Sequence, residues 1–306
     1  MMTQQIDREE LQRLWEHALA EDGADRDLTS RVTTDEHVEV QTQWVSRQTG
    51  VFAGRVILDL LGDVCKGQLA VTSEVNDSDR LEGGTVIATL TGPVRLLLSI
   101  ERTLLNFLQR LSGVATLTRQ YVDAVAGTQA RIYDTRKTIP GWRQLDKYAV
   151  RCGGGSNHRM GLHDAILVKD NHIVGVPTSR LAAAALEMIA RIKALDASPT
   201  FVEFEVDTLE QLDELLEVVG IDVILLDNFT PEQMREAVTR RNAKGLVNKV
   251  QLEASGGVDL EHVRAIAETG VDRIAIGAIT HSVPALDISM EIWSGSRPNS
   301  PKVPAG

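Results

Sequence analysis

The stretch YDTRKTIPGWR, beginning at Tyr133, places two cations side by side directly after an apolar run. It lies in a segment, residues 131–172, that carries eight bases and four acids, although the whole chain has a formal net charge of −11. The bases are Arg131, Arg136, Lys137, Arg143, Lys147, Arg151, Arg159 and Lys169, and His158 lies among them. So many cations close together predict either a solvated basic face or a pocket for an anionic ligand.

Two acids end apolar stretches that are typical of strands, Glu205 in FVEFEV and Asp227 in DVILLD. Carboxylates at the ends of neighbouring strands can hold Mg²⁺ or substrate hydroxyls, or stabilise a developing positive charge. A strand-end acid can also simply cap the helix that follows it. Thr230 competes for that capping position after Asp227, which weakens the capping interpretation there.

Small residues dominate two loops near the end of the chain, EASGGV at residues 253–258 and IGAITHS at residues 276–282. Each loop lies at the end of a predicted strand. Barrel proteins frequently bind phosphate with backbone N–H groups from their last two loops. We therefore predict a phosphate site formed by these two loops.

Three further features allow more than one interpretation. Lys169 ends the apolar run AILVK, and it could form a Schiff base or bind a carboxylate or phosphate. The run GGGSNHR fits neither a dinucleotide-binding nor a P-loop pattern, and it predicts a flexible loop or a close backbone approach about equally. A zinc site is disfavoured because the histidines of this segment match no common zinc spacing; they are His158, His163 and His172.

The elements that must position these side chains change character near residue 113. Before it, short alternating segments such as HVEVQTQWV and GTVIATL indicate an antiparallel sheet, followed by a helix that carries Arg102. After it, apolar strands alternate with amphipathic helices, which indicates an α/β domain. The six strand candidates are ARIYD, AILVK, FVEFEV, DVILLD, KVQLEA and DRIAIG.

Polar or glycine clusters end nearly every one of these six strands. In a (β/α) barrel the active site is assembled from several strand ends at one mouth, whereas an open sheet concentrates its ligand groups at one switch point. Since only six strands are visible, we predict an incomplete (β/α) barrel. The predicted domains are residues 1–113 and 114–290, and a Pro/Ser-rich tail, residues 291–306, is predicted to be disordered.

Composition excludes several other classes of protein. A pI near 5.2 argues against general nucleic-acid binding and against binding to an anionic membrane surface, because both need a broad positive field. The two cysteines, Cys65 and Cys152, match no metal or redox pattern and fit a reducing compartment. No signal peptide and no membrane-spanning apolar run is visible, so we predict a cytoplasmic protein with no membrane partner.

The basic segment TRKTIPGWRQLDKYAVRCGGGSNHRMGLHDAILVKDNHI closely resembles the signature region of the quinolinate phosphoribosyltransferases, also called carboxylating nicotinate-nucleotide pyrophosphorylases. Other blocks match the family in order from about Asp22 to Ser289: ERTLLNFLQRLSGVAT, VEFEVDTLEQL, ILLDNF, EASGGV and GAITHSVPALDIS. Two departures are small. RDLTS replaces an expected Gly-Asp-Leu-Thr, and Ser156 stands where the family pattern has histidine, which could alter how the glycine run packs.

The resemblance implies an N-terminal α/β sandwich domain followed by an incomplete α/β barrel. It implies a homodimer whose sites lie at the barrel mouths near the partner's N-terminal domain. The reaction that it implies is Mg²⁺-dependent and belongs to de novo NAD biosynthesis: quinolinate and phosphoribosyl pyrophosphate give nicotinate mononucleotide, pyrophosphate and CO₂.

Matching positions in these blocks also imply a role for each site residue. Quinolinate would be held by Arg136, His158, Arg159 and Lys169, together with Arg102 supplied by the other subunit. Lys137 would contact the pyrophosphate, and Glu205 and Asp227 would hold ribose hydroxyls and Mg²⁺. The 5′-phosphate would lie on the backbones of Ser255, Gly256, Gly257, Gly277 and Ala278. The residues expected to serve catalysis are Lys137, Lys169, Glu205 and Asp227.

Two other functions compete with this one. A related phosphoribosyltransferase that acts on a different acidic ring would keep the phosphate half of the site. A monocarboxylate would not require both Arg102 and Arg159, which argues against that alternative. A non-catalytic phosphometabolite-binding protein on the same fold is disfavoured by the presence of Lys137, Glu205 and Asp227 together.

Overall fold

A computed structural model describes residues 6–65 and 67–293 of the chain. The chain divides into two compact units, one formed by residues up to 116 together with those from 284 onward, and the other by residues 117–283. The long helix α4, Val94–Ala124, begins in the first unit and ends in the second. The predicted domain boundary at residue 113 falls within this helix.

The first unit combines an antiparallel sheet with helices. Its strands are β1 (Glu39–Ser46), β2 (Gly50–Val51), β3 (Ala70–Ser73), β4 (Arg80–Leu81), β5 (Val86–Pro93) and β12 (Ile288–Trp293). Its helices are α1 (Arg8–Asp22), α2 (Leu28–Thr33), α3 (Arg55–Val64) and the first part of α4, and a 3₁₀ turn spans Ala24–Arg26. The main sheet has the order β12-β1-β5-β3, and β2 pairs with β4. Of the predicted tail, residues 291–293 belong to β12, and residues 294–306 lie outside the described residues.

Apolar residues on the sheet and on α4 form the core of this unit. Trp44 of β1 and Leu90 of β5 are fully buried. On α4, buried leucines recur at the three- and four-residue spacing that puts them on one face of a helix, at Leu97, Leu104, Leu108 and Leu111. Burial of this face accounts for the strongly helical pattern of the sequence.

The second unit alternates parallel strands with helices. Its strands are β6 (Arg131–Tyr133), β7 (Ile166–Val168), β8 (Val202–Val206), β9 (Val223–Asp227), β10 (Gln251–Ser255) and β11 (Arg273–Ala275). Its helices are α5 (Arg143–Cys152), α6 (Leu181–Lys193), α7 (Leu209–Leu215), α8 (Pro231–Ala243), α9 (Val263–Ala267) and α10 (Ala278–His281), with 3₁₀ turns at Asp170–His172 and Thr178–Arg180. All six predicted strands are present.

The order of these strands is that of a barrel opened along one seam. The sheet runs β6-β11-β10-β9-β8-β7. The first strand of this unit, β6, thus pairs with β11, the last, and each strand from β7 to β10 pairs with the one that follows it in the chain. Within the described residues, no ladder joins β6 to β7, which leaves the barrel incomplete as predicted. Every residue of β8 is buried, because parallel strands of this kind are covered on both faces. Side chains after the strands therefore converge on one rim of the sheet.

Side-chain caps begin two of the helices that cover this sheet. Thr208 caps α7 and accepts the N–H of Gln211, and Thr230 caps α8 and accepts the N–H of Gln233. Thr230 thus occupies the position that Asp227 would take as a capping residue, which leaves the carboxylate of Asp227 available to the rim. None of the helices described is long and apolar enough to cross a membrane.

Two helical glycines provide a matched test of packing in the first unit. A Cβ at Gly113 of α4 would overlap the carbonyl oxygen of Pro284, whereas a Cβ at Gly62 of α3 would meet no atom within 4 Å. Gly113→Ala should lower the free energy of unfolding by about 1–3 kcal/mol through overpacking. Gly62→Ala should raise it by about 0.5–1 kcal/mol, because alanine loses less conformational freedom in a helix. Urea unfolding of both variants measures the difference, and equal effects would contradict the packing at Gly113.

Candidate active site

A cavity of 780 Å³ lies at the carboxyl ends of the six parallel strands, within the second unit. It brings together twelve residues that the sequence predicted: Arg136, Lys137, His158, Arg159, Lys169, Glu205, Asp227, Ser255, Gly256, Gly257, Gly277 and Ala278. Arg102 is exposed on α4 in the first unit and is not among the lining residues. The cavity is therefore cationic on one side, carries the two predicted carboxylates together with that of Glu253, and has small residues on a third side.

Lys169 contacts one of the two predicted carboxylates directly. Its Nζ donates to Glu205 Oε2 at 2.7 Å, and the Glu205 side chain is almost buried while that of Lys169 is half exposed. An ammonium engaged by a carboxylate is poorly suited to act as a free amine nucleophile, which disfavours the Schiff-base interpretation. The contact leaves Lys169 able to exchange Glu205 for an anionic ligand at the same point of the cavity.

Asp227 supplies the second carboxylate, from the strand next to that of Glu205. Glu205 pairs with Leu225 in the sheet register, so Asp227 lies two residues further toward the rim. Burial raises the pKa of Asp227, and the negative charge of Asp207 raises it further. A cation placed beside Asp227 would oppose both effects. Two carboxylates on adjacent strands of a polar cavity are donors of the kind that Mg²⁺ takes from proteins.

The loop after β10 has a conformation that only glycine adopts easily. Gly256 has φ = 102°, and a Cβ there would overlap the side-chain oxygen of Asn228 and lie 2.9 Å from its backbone nitrogen. Asn228 itself has φ = 55° and donates its N–H to the carbonyl of Ser255. The interlocked turn leaves the backbone of Gly256 and Gly257 uncovered by side chains, as an anion-binding loop requires.

Gly277 plays a similar part in the loop after β11. A Cβ at Gly277 would lie 2.9 Å from Cδ of Lys137 and 3.0 Å from Nε2 of His281. Thr280 on the same loop donates its hydroxyl to the carbonyl of Lys137. The missing side chain at position 277 thus allows Lys137 to lie close against this loop.

A buried ion pair holds the segment that carries His158 and Arg159. Asp134 and Lys147 are both fully buried and in direct contact. Asp134 also accepts the N–H of His158 at 2.8 Å and the side-chain amide of Asn157 at 2.6 Å, while Lys147 donates to the carbonyl of His158 at 3.1 Å. Burial raises the pKa of Asp134 and lowers that of Lys147, and each partner's charge opposes the change in the other.

The glycine run before this segment is structural and does not contact the cavity. Gly153, Gly154 and Gly155 donate their N–H groups to carbonyls of α5 and so end that helix. Gly154 has φ = 90°, and a Cβ at Gly155 would lie 2.8 Å from side chains of Thr118 and Val150. Of the two interpretations, close backbone approach is the one that the structure supports. Ser156 follows, and its backbone pairs with Tyr133 at the edge of β6.

A cluster of charges that no motif in the sequence indicated begins at the floor of the cavity, where Glu253 is a lining residue, and continues beneath it. Glu203, Glu253 and Arg273 are buried, and both glutamates approach Nε2 of His158. Burial alone would lower the pKa of His158, but the two carboxylates more than offset it and raise the pKa to about 9. A signal was available for Glu203, since it lies two residues before Glu205 on a strand and therefore shares its face. The same spacing relates Glu253 to Ser255.

Asn228 and His281 also line the cavity, although neither was predicted from the sequence as a site residue. Asn228 belongs to the DNF motif, and asparagine is one of the few residues that tolerate the left-handed conformation found here. Of the three histidines considered for zinc, His172 accepts the backbone N–H of Lys169, and the imidazole of His163 lies against Gly161. These three side chains have separate structural partners.

Two family models together match most of the chain. The model described as quinolinate phosphoribosyl transferase, N-terminal domain, matches residues 27–112, and the corresponding C-terminal domain model matches residues 114–291. A nicotinate-nucleotide pyrophosphorylase [carboxylating] of Mycobacterium leprae is 44% identical over 269 residues, which cover 87% of this chain and 91% of that protein. A probable enzyme of the same name from Bacillus subtilis is 41% identical over 283 residues, covering 92% of this chain and 93% of that protein.

A solved structure is similar throughout. The nicotinate-nucleotide pyrophosphorylase from Francisella tularensis superimposes with a TM-score of 0.84 at 37% sequence identity. The match covers 94% of this chain and 98% of that one. Both the antiparallel first unit and the incomplete barrel thus have a counterpart in a structure of that enzyme.

The Asp134–Lys147 pair can be tested by a double-mutant cycle. Asp134→Asn should lower the free energy of unfolding by about 3–5 kcal/mol, because it leaves the Lys147 ammonium buried without a counter-charge. Adding Lys147→Met should recover part of that loss, since the uncompensated charge is then removed. Urea unfolding of the wild type, both single variants and the double variant measures the coupling. Strictly additive losses would show that the two side chains do not stabilise each other.

Proposed function

The chain belongs to the quinolinate phosphoribosyltransferase family, and we propose that it transfers the phosphoribosyl group of phosphoribosyl pyrophosphate to quinolinate. The products are nicotinate mononucleotide, pyrophosphate and CO₂. One observation carries the proposal: a single cavity gathers Arg136, Arg159, Lys137 and Lys169 around two strand-end carboxylates and two small-residue loops. Each of these three groups suits a different part of the two substrates.

The cations suit a substrate with two adjacent carboxylates. Quinolinate is a dianion, and a partly desolvated cavity can accept it only where positive charge offsets the repulsion between the carboxylates and the incoming phosphates. Arg159 is buried with its Nη1 on the carbonyl of Ala165, so its guanidinium has a fixed place at the cavity wall. Arg136 and Lys169 are more exposed and can close on the ligand. The proposal assigns the dicarboxylate to these three residues, assisted by His158.

The loops and carboxylates suit phosphoribosyl pyrophosphate. The uncovered backbones of Ser255, Gly256, Gly257, Gly277 and Ala278 would bind the 5′-phosphate. Lys137, which lies against Gly277, would contact the pyrophosphate. Glu205 and Asp227 would accept hydrogen bonds from the ribose hydroxyls. Their negative charge would also stabilise the positive charge that develops at the anomeric carbon as pyrophosphate leaves.

The reaction then needs no covalent enzyme intermediate. The pyridine nitrogen attacks C1 of the ribose, the C1–oxygen bond to pyrophosphate breaks, and the ring nitrogen becomes positively charged. The quaternary nitrogen stabilises an electron pair at C2 of the ring, so the bond to the C2 carboxylate can break and release CO₂. A proton then takes the place of that carboxylate on C2. The residues of the cavity contribute by orienting both substrates and by matching their charges.

Mg²⁺ is part of the proposal, with Glu205 and Asp227 as its protein ligands. When bound, the ion would neutralise the charge of the departing pyrophosphate. Burial first, and then the negative charge of Asp207, raise the pKa of Asp227, and a cation beside its carboxylate would offset both. Glu205 would have to exchange its contact with Lys169 for the ion. Quinolinate could draw Lys169 away from Glu205 by offering it a carboxylate in exchange.

A homodimer completes the proposal, as the family resemblance implies. Arg102 of one subunit would reach the cavity of the other and add a further cation to the quinolinate site. Its exposed position on α4 leaves it free to contact a second chain. A cytoplasmic location stays a prediction from the composition.

The proposed reaction should appear in a single incubation of purified protein with quinolinate, phosphoribosyl pyrophosphate and Mg²⁺. We expect nicotinate mononucleotide and CO₂ in equal amounts, and no product after EDTA, measured by chromatography and by trapping of ¹⁴CO₂ from labelled quinolinate. Pyrophosphate release with nicotinate but not with quinolinate would instead favour a transferase for a monocarboxylate. Binding of phosphoribosyl pyrophosphate without turnover of either acid would favour a non-catalytic protein.

Sharing of Arg102 between subunits predicts complementation. Arg102→Ala and Lys169→Ala should each abolish most activity, but a hybrid dimer of the two regains one intact site. Random exchange of subunits makes half of the dimers hybrid, so a mixture should recover about a quarter of wild-type activity. Arg136→Ala mixed with Lys169→Ala is the control. Both of these residues line the same cavity of one chain, so no hybrid site is intact. Equal recovery of activity in both mixtures would contradict the sharing of Arg102 between subunits. So would no recovery in either mixture despite demonstrated exchange of subunits.

A further inference from the structure

The inside of the barrel, at and beneath the floor of the cavity, is charged where barrels are usually filled with branched apolar side chains. Glu203 of β8 and Glu253 of β10 are completely buried, and Arg273 of β11 is nearly so. None of the three has a role in the proposed reaction. A buried group of charges is generally no more stable than apolar side chains of the same volume. Its presence beneath a cationic cavity therefore calls for a functional explanation.

The two glutamates converge on one atom of His158. Nε2 of the ring lies 3.0 Å from Glu203 Oε2 and 3.4 Å from Glu253 Oε1. On its other side Glu253 meets Nε of Arg273 at 3.0 Å, and the Arg273 guanidinium stacks 3.9 Å from the ring centre of Tyr133. Arg273 thus contacts one of the two acids, Glu253, and is not among the residues that line the cavity.

The remaining surroundings of the imidazole are also defined. Phe201 packs edge-on against the ring at 5.2 Å. Nδ1 accepts the backbone N–H of Arg159 at 2.9 Å, so the single proton of the neutral ring lies on Nε2, facing the acids. A second proton can be added only at Nδ1, and it would open the contact with Arg159. Nε2 lies beside both glutamates but makes no well-aligned hydrogen bond to either, so the carboxylates act on its proton through their charge and proximity.

We propose that Glu203 and Glu253 are positioning residues whose charges keep a proton on Nε2 of His158 and so leave Nδ1 as the ring nitrogen that serves the substrate. A carboxylate of the bound dianion would take the Nδ1–H of the imidazolium, together with the backbone N–H of Arg159 that the protonated ring releases. The nitrogen used by a histidine is commonly set by the partner of its other nitrogen. This inference rests on the proposed function, because the ligand is the quinolinate carboxylate.

Charge balance supports this arrangement. Two carboxylates face one guanidinium and one imidazole, so the cluster is neutral when it holds one proton more than the neutral ring carries. That proton can lie on His158 or on Glu203, whose pKa is raised by burial and by the charge of Glu253. The raised pKa of His158 reflects the same balance of charge. The same three side chains, His158, Glu203 and Glu253, could in principle hold a metal ion. Arg273 already supplies the second positive charge at Glu253, which makes a divalent cation at this point unfavourable.

The kinetic test uses Glu203→Gln and Glu253→Gln in the full-length protein. With one carboxylate neutralised, the pKa of His158 should fall, because one glutamate instead of two then opposes the effect of burial. The imidazolium should therefore be lost as pH rises from 6 to 8. At pH 8, KM for quinolinate should rise about ten- to hundredfold over wild type, as expected for loss of a charged hydrogen bond. At pH 6 most of the difference should disappear, and KM for phosphoribosyl pyrophosphate should stay within about twofold of wild type at both pH values.

Asp272→Asn is the matched control. Asp272 pairs with Arg241 at the amino end of β11, at the opposite end of the strand from the cavity. Its loss weakens the same unit without touching His158, so both KM values should stay near those of wild type. A quinolinate KM raised equally at pH 6 and pH 8 in the glutamine variants, or raised as much in the control, would reduce the glutamates to a packing role and overturn the proposal.

A spectroscopic measurement on the unmutated protein tests the proposal even if the glutamine variants fail to fold. With ¹⁵N-labelled histidine, the nitrogen shifts of His158 should show Nε2 protonated from pH 6 to pH 10 and Nδ1 as the nitrogen that titrates. Assignment follows from the signal missing in His158→Ala. A neutral ring protonated on Nδ1 would overturn the proposal without any kinetic data. Wild-type protein that turned over no quinolinate would overturn the proposed function instead, while the spectrum still decided the ring's orientation.

Discussion

Repulsion among cations in one cavity is the constraint on which the rest of this structure depends. Burial lowers the pKa of Arg159, and the neighbouring charge of Arg136 lowers it further. Acidic side chains next to the cations reduce this repulsion. Lys169 contacts Glu205, and a layer of glutamates lies beneath His158. These acids offset part of the positive charge, so the cations can lie close together in the empty cavity. The positive charge that remains attracts an anionic ligand, and the ligand neutralises it on binding.

The incomplete barrel is what brings these groups together. Residues far apart in the chain follow strands that pair side by side. Lys137 after β6 and Gly277 after β11 therefore become neighbours through the pairing of these two strands. The same parallel arrangement places Glu205 and Asp227 on adjacent strands, two residues apart in register. Helices on the outside bury one face of each strand, and the inner face is left for the site.

Rigid backbone contacts then give the cavity its shape. Asp134 and Lys147 hold the segment of His158 and Arg159 by both its N–H and its carbonyl, so two cations are carried on a stretch with little freedom to move. Asn228 packs against Gly256 and so fixes the loop after β10, whose backbone is not covered by side chains. Preorganisation of this kind matters for a reaction in which the protein contributes position and charge and forms no bond to the substrates.

The sequence by itself determined the six alternating strands, the incomplete barrel and the cationic segment, because apolar periodicity and charge are local properties of the chain. It also indicated the small-residue loops and the acids at positions 205 and 227, because each lies at a strand end. Only the tertiary structure decided which side chains meet. Pairing of Glu203 and Glu253 with one nitrogen of His158 depends on the curvature of three strands, and the burial of Lys147 depends on the packing of α5. The contacts of His158 with the two glutamates join segments more than forty residues apart, and no local pattern encodes them.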